Sequence, residues 1–249
     1  MNVRRYSQRV LCIAVALAAL IPSAASAGLI MDLNTAYNGT PPLGTGPWGR
    51  ATFDDFGPNS VKLTMENLAS VSGASQFISN WTFNVADDDF LRELRFTYLG
   101  TGLDSCEAQS IDIGAGTIKA RGGGKRGFGF DIALNFATSN GGGPTGSKRF
   151  TPGKTSVYQL TYTGSKSGFG ASLFNAVTNN DLLTSAHIQG IPSGSKTTSG
   201  AATGAATVPE PSSLVLWSLF GVAGLGMSIA ARRRRVDHNG SPDRTAGHP

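Results

Sequence analysis

The chain has 249 residues, a formal net charge of +5 and a mean hydropathy of −0.07. The surplus charge lies at the ends: Arg4, Arg5 and Arg9 open the chain, and residues 208–249 hold five arginines against three acids. Residues 28–207 carry thirteen basic and thirteen acidic side chains, so they are neutral, which excludes nucleic-acid binding driven by a basic surface. Cys106 is the one cysteine beyond residue 27, so this region forms no internal disulfide; the thiol is either buried or links two chains. One Cys and one His (His187) cannot close a zinc site.

At the N-terminus, three arginines precede an apolar stretch over residues 10–21 and then Ala25-Ser26-Ala27. Small residues at Ala25 and Ala27 fit signal peptidase, so residues 1–27 read as a cleaved signal peptide that leaves Gly28 first.

Residues 39–49 form a Pro/Gly loop around Trp48, whose ring is a candidate sugar-stacking platform. Period-2 alternation predicts half-buried strands at 61–65, 81–85, 94–98 and 128–136. Less regular strands are expected at 157–163, 169–176 and 186–191. No segment sustains a 3.6 period, and Gly/Ser/Asn turns separate the strands. The fold class is therefore all-β, an antiparallel β-sandwich or jelly-roll-like domain over residues 28–191. Residues 192–207 are Ser/Thr/Gly/Ala-rich without apolar pattern and read as a flexible linker.

The body offers little for catalysis. Asp87, Asp88, Asp89 and Glu93 form the densest acid cluster, a candidate for calcium; the plainer reading is a solvated turn or a helix N-terminus. Residues 122–127 match G-x-G-x-x-G, but they open a strand rather than a helix, so they read as a turn. His187 lacks a G-x-S-x-G partner and reads as a structural residue. No catalytic residue and no cofactor are assigned, and the chain is read as a non-enzyme.

Beyond Val208 the sequence reads Pro209-Glu210-Pro211, then an uncharged apolar run over residues 212–231, then Arg232, Arg233, Arg234 and Arg235. About 20 apolar residues suffice to span a bilayer as a helix, and four arginines make a cytoplasmic topological stop. Residues 236–249 would be a polar cytoplasmic tail. This three-part order over residues 208–235 resembles the PEP-CTERM sorting signal of Gram-negative bacteria. The resemblance implies membrane anchoring, recognition by an exosortase (a membrane-embedded, cysteine transpeptidase-like enzyme) and processing near Pro209, Glu210 and Pro211. The body also resembles a group of uncharacterised PEP-CTERM proteins in Gly-Phe-Gly-Phe-Asp-Ile (127–132), Phe-x-Thr-Ser-Asn (136–140), Arg-Phe-Thr-x-Gly (149–153) and Ala-His-Ile-Gln-Gly-Ile (186–191). That resemblance implies a β-rich exported protein. The expected function is structural or adhesive, at the cell surface or in an extracellular polysaccharide matrix; the alternative is a glycan-binding module, calcium-assisted or not.

Overall fold

The computed structural model describes residues 28–69, 76–122, 129–139, 149–178 and 181–207. The signal peptide, the apolar run 212–231 and the tail 236–249 lie outside the described residues. Among the described residues no helix is long and apolar enough to cross a membrane.

Two antiparallel sheets make up the body. The first contains β1 (Leu29–Asp32), β3 (Gly49–Asp55), β4 (Ser60–Asn67), β6 (Leu94–Tyr98), β9 (Thr155–Tyr162) and β12 (Ala206–Thr207), in the order β12-β1-β3-β4-β9-β6. The second contains β2 (Thr35–Gly39), β5 (Phe77–Phe83), β7 (Ser110–Lys119), β8 (Gly129–Asn135), β10 (Thr184–Ser193) and β11 (Lys196–Thr203), in the order β2-β11-β10-β5-β8-β7.

The first sheet follows from alternation. In β4, Val61, Leu63 and Met65 are buried while Lys62, Thr64 and Glu66 are half-exposed. β9 repeats this with Tyr158, Leu160 and Tyr162. These side chains meet the inner face of the second sheet, formed by Ile78, Trp81, Phe83, Ile132, Leu134, Ala186 and Ile188. Phe53 of β3 packs edge-on against Phe83 of β5, with centroids 5.2 Å apart, and stacks on Phe174 at 4.2 Å. Aromatic pairs in such geometry add roughly 0.5–1.5 kcal/mol beyond area burial. Arg50 ties β3 to β1 through a bidentate pair with Asp32, at 2.7 and 3.0 Å.

Two expectations are corrected. The segment 169–176 is not a strand: it contains a 3₁₀ turn, Ala171–Phe174, whose N-terminal N–H donates to Asp55 Oδ1 at 2.7 Å. A turn buries both Phe169 and Phe174 on one side, which a strand would send to a common face only at even spacing. The region 192–207 is not a flexible linker. β10 continues to Ser193, and β11 lies between β10 and β2, pairing Ala201 with both His187 and Asn38. Its Thr, Gly and Ala side chains show no hydrophobic pattern because the first half of the strand is largely exposed and the second half is covered on both faces: Gly200, Ala201 and Ala202 are all buried. Small residues suit that close approach.

Ala202→Lys would place an unpaired charge in this packed layer, and we expect a loss of more than about 4 kcal/mol. Thr197→Lys, at an exposed position of the same strand, would be silent. Chemical denaturation of the two full-length variants checks this; equal midpoints would return residues 192–207 to a linker.

Candidate functional site

Ala25, Ala27, Pro209, Glu210, Pro211 and Arg232 to Arg235 all lie outside the described residues. The candidates within the body can be placed one by one.

Trp48 is no surface platform. It is 7 % exposed and belongs to the core. Its N–H donates to Leu33 O at 2.8 Å and its carbonyl accepts from Leu68 N at 3.0 Å, which prolongs the β3 edge and turns the ring inward. The indole Nε1 is satisfied by Gly44 O at 3.3 Å.

The acid cluster sits at the start of a 3₁₀ turn, Asp88–Glu93. Asp87 caps it by accepting from Asp89 N at 3.1 Å. Lys166 Nζ bridges Asp87 at 2.5 Å and Asp89 at 2.8 Å, and lies 5.0 Å from the Phe90 ring centroid. That ammonium holds the Asp87 carboxyl below the usual carboxylate range. Two of the four acids thus share one cation, and Glu93 enters through its backbone carbonyl, which accepts from Thr163. Among the described residues no group of three His, Cys, Asp or Glu side chains could hold a metal ion.

The feature the sequence did not announce is a polar layer on the outer face of the second sheet. Register places Asn38, Ala201, His187, Asn80, Asn135 and Ser110 in one row across six strands. Thr203, Ser185, Thr82, Ala133 and Asp112 form the next. The row centres are buried: Asn80 is 2 % exposed and Thr82 0 %. Asn80 Nδ2 donates to Asn135 Oδ1 at 3.0 Å, and Asn135 Nδ2 donates to Ser110 Oγ at 3.1 Å and Asp112 Oδ2 at 2.9 Å. Tyr37 Oη meets Ser185 Oγ at 2.7 Å, and burial pushes its phenol pKa up. These are sheet-bracing ties between fully or partly buried groups, where an unmade bond costs about 1–3 kcal/mol.

His187 belongs to this layer. Its Nδ1 lies 3.0 Å from Ser79 Oγ, and Ser79 is completely buried, so the hydroxyl cannot meet a substrate carbon. The second contact is Gln189 at 3.5 Å. No carboxylate orients the ring among the described residues, unlike the arrangement that activates a serine. Burial, with Arg121 nearby, lowers the pKa of His187 from its ordinary 6.5. The folded state therefore binds this proton more weakly than the unfolded state. Stability from His187 is complete above pH 6.5 and is lost as pH falls below it, until the depressed folded pKa is passed. Urea midpoints of the full chain would fall between pH 6.5 and 5, and His187→Gln would flatten that slope; an unchanged slope would place the titration elsewhere.

Asp131 is a second polar tie that the sequence marks only by an acid inside the apolar alternation of 128–136. Its carboxylate accepts from Val85 N at 2.8 Å and Gly116 N at 2.6 Å, joining the end of β5 to an irregular stretch of β7. Burial raises its pKa against the pull of those two bonds.

Cys106 is buried, and burial pushes its thiol up to about 11. A thiol so little ionised at pH 7 is a poor nucleophile. The full chain is expected to remain monomeric on a non-reducing gel and to react with a thiol reagent only after unfolding. A reducible dimer, or prompt native labelling, would show the opposite.

The family model of the PEP-CTERM protein-sorting motif matches residues 207–235. No curated protein and no solved structure matches the chain. The motif implies an exported protein that is recognised by an exosortase, anchored in a membrane and then displayed at the cell surface.

Proposed function

We propose that the chain is a non-enzymatic exported protein of structural or adhesive type, displayed on a Gram-negative-type cell or in its extracellular polysaccharide matrix. The observation that carries this reading is the sorting motif at residues 207–235. The neutral body supports it, since a neutral surface neither seeks nor repels a charged polymer. Signal peptidase removes residues 1–27. The exosortase then processes the chain near Pro209, Glu210 and Pro211, while Arg232, Arg233, Arg234 and Arg235 hold the unprocessed end in the cytoplasm.

The test is the mass and location of the mature protein in cells with and without the exosortase. A product ending near Pro209–Pro211 outside the inner membrane, formed only with the enzyme, is expected. A product that keeps Arg232 to Arg235 and stays in the inner membrane in both strains would overturn sorting.

A further inference from the structure

The connector between β6 and β7 encloses a solvent-open pocket of about 410 Å³, within the roughly 300–1,000 Å³ of small-molecule sites. Tyr98, Leu103, Ser105, Glu107, Gln109 and Lys154 supply the side chains that matter at its wall.

The wall is fixed before any ligand arrives. Cys106 N donates to Thr155 O at 2.8 Å and Thr155 N to Asp104 O at 2.8 Å, so the connector is sewn to the start of β9. Gln109 N donates to Asn135 O at 2.7 Å, and Ala108 N to Tyr158 Oη at 2.7 Å. The Tyr158 phenol is buried under the connector, and burial pushes its pKa up to about 12, so it stays a neutral anchor. Ser105 Oγ closes the loop onto Gly102 O at 2.7 Å, with Gly102 at a φ of +87° that favours glycine. A connector with this many backbone ties holds its pocket open, which spares a ligand much of the ordering cost of binding.

The chemistry of the wall selects the ligand. Glu107 and Lys154 carry opposite charges, so the pocket has no net preference for an ion. Gln109 and Tyr98 add amide and hydroxyl groups that both donate and accept, and Ser105, whose proton goes to Gly102 O, adds an acceptor. Leu103, 76 % exposed, gives an apolar rim. A phosphate would ask for several cations or a nest of N–H groups, and a lipid chain for a largely apolar lining. A neutral, polyhydroxylated ring with an apolar C–H face matches this set. Among the described residues Glu107 is the one carboxylate lining the pocket, whereas glycoside hydrolysis uses two.

We propose that this pocket binds a neutral sugar unit, such as a chain end or branch of a polysaccharide, without cleaving it. The source of that sugar in the surrounding matrix rests on the function proposed above; the binding itself does not.

The test uses the full chain in a sugar-free detergent. Saturation-transfer NMR would be recorded with glucose, galactose and N-acetylglucosamine, and with glucuronate as the charged counterpart. A dissociation constant on the order of 1 mM is expected for at least one neutral sugar. Gln109→Ala and Leu103→Asp would each weaken it at least about tenfold, a difference of about 1.4 kcal/mol. Both positions are exposed, so melting curves matching the parent chain would show the fold intact. Binding that survives both changes, transfer to glucuronate alone, or no transfer to any sugar would each overturn the assignment. A chain that sorts correctly but binds no sugar loses this proposal alone. A chain that binds sugar but is never processed loses the sorting reading alone.

Discussion

β5 is covered on both faces, and much of the second sheet follows from that constraint. All seven residues from Phe77 to Phe83 are buried. On the inner side this is ordinary packing, with Ile78, Trp81 and Phe83 against the first sheet. On the outer side the same burial leaves Asn80 and Thr82 without water, so their polar atoms turn to partners in the protein, and only Asn80 Oδ1 among them finds none. Thr82 Oγ1 donates to Ser185 O at 3.1 Å, and Asn80 reaches Asn135. The Ser79–His187 contact falls where the β5–β10 register shifts. A β-bulge inserts one extra residue and re-aims side chains locally, and here it lets Ser79 reach both the ring and the carbonyl of His187.

The same constraint explains what the sequence could and could not disclose. A sheet with one wet face writes its burial as alternation, so β4 and β6 are readable as Val-Lys-Leu-Thr-Met and Leu-Arg-Phe-Thr-Tyr, whereas β9 is less regular because the buried Tyr158, not Val157, shares the inner face with Leu160 and Tyr162. β11 is largely exposed from Lys196 to Ser199 and buried from Gly200 to Thr203 without any large apolar side chain, and Lys-Thr-Thr-Ser-Gly-Ala-Ala-Thr is what a linker also looks like. β7 escapes notice for the opposite reason: it is an edge strand whose residues are exposed or half-buried, broken between Ile113 and Ile118. Trp48 shows the limit of reasoning from composition. A Trp in a Pro/Gly loop is exposed only if the loop leaves the sheet, and two backbone bonds keep this one on it.

Sites divide along the same line. The sorting elements are contiguous in sequence, because the order of three short stretches is itself the signal. The pocket beside Tyr98 is assembled from the β6–β7 connector and Lys154 of a distant strand start. Glu107 and Gln109 gain meaning there only once Tyr158 has pinned the connector through Ala108.

The end of the fold bears on how the two kinds of information coexist in one chain. Thr207 pairs with Ile30 in β12 and is also the first residue of the matched sorting motif. Sheet and signal therefore abut in sequence with no spacer between them. A processing enzyme acting near Pro209 would work within two residues of a hydrogen-bonded strand, since an extended residue spans only about 3.3–3.6 Å. β12 is two residues long and lies at the sheet edge, where few bonds have to open. The strand nearest the signal is thus also among the shortest in the body, so local opening there would leave the aromatic core around Phe53 and Phe83 undisturbed.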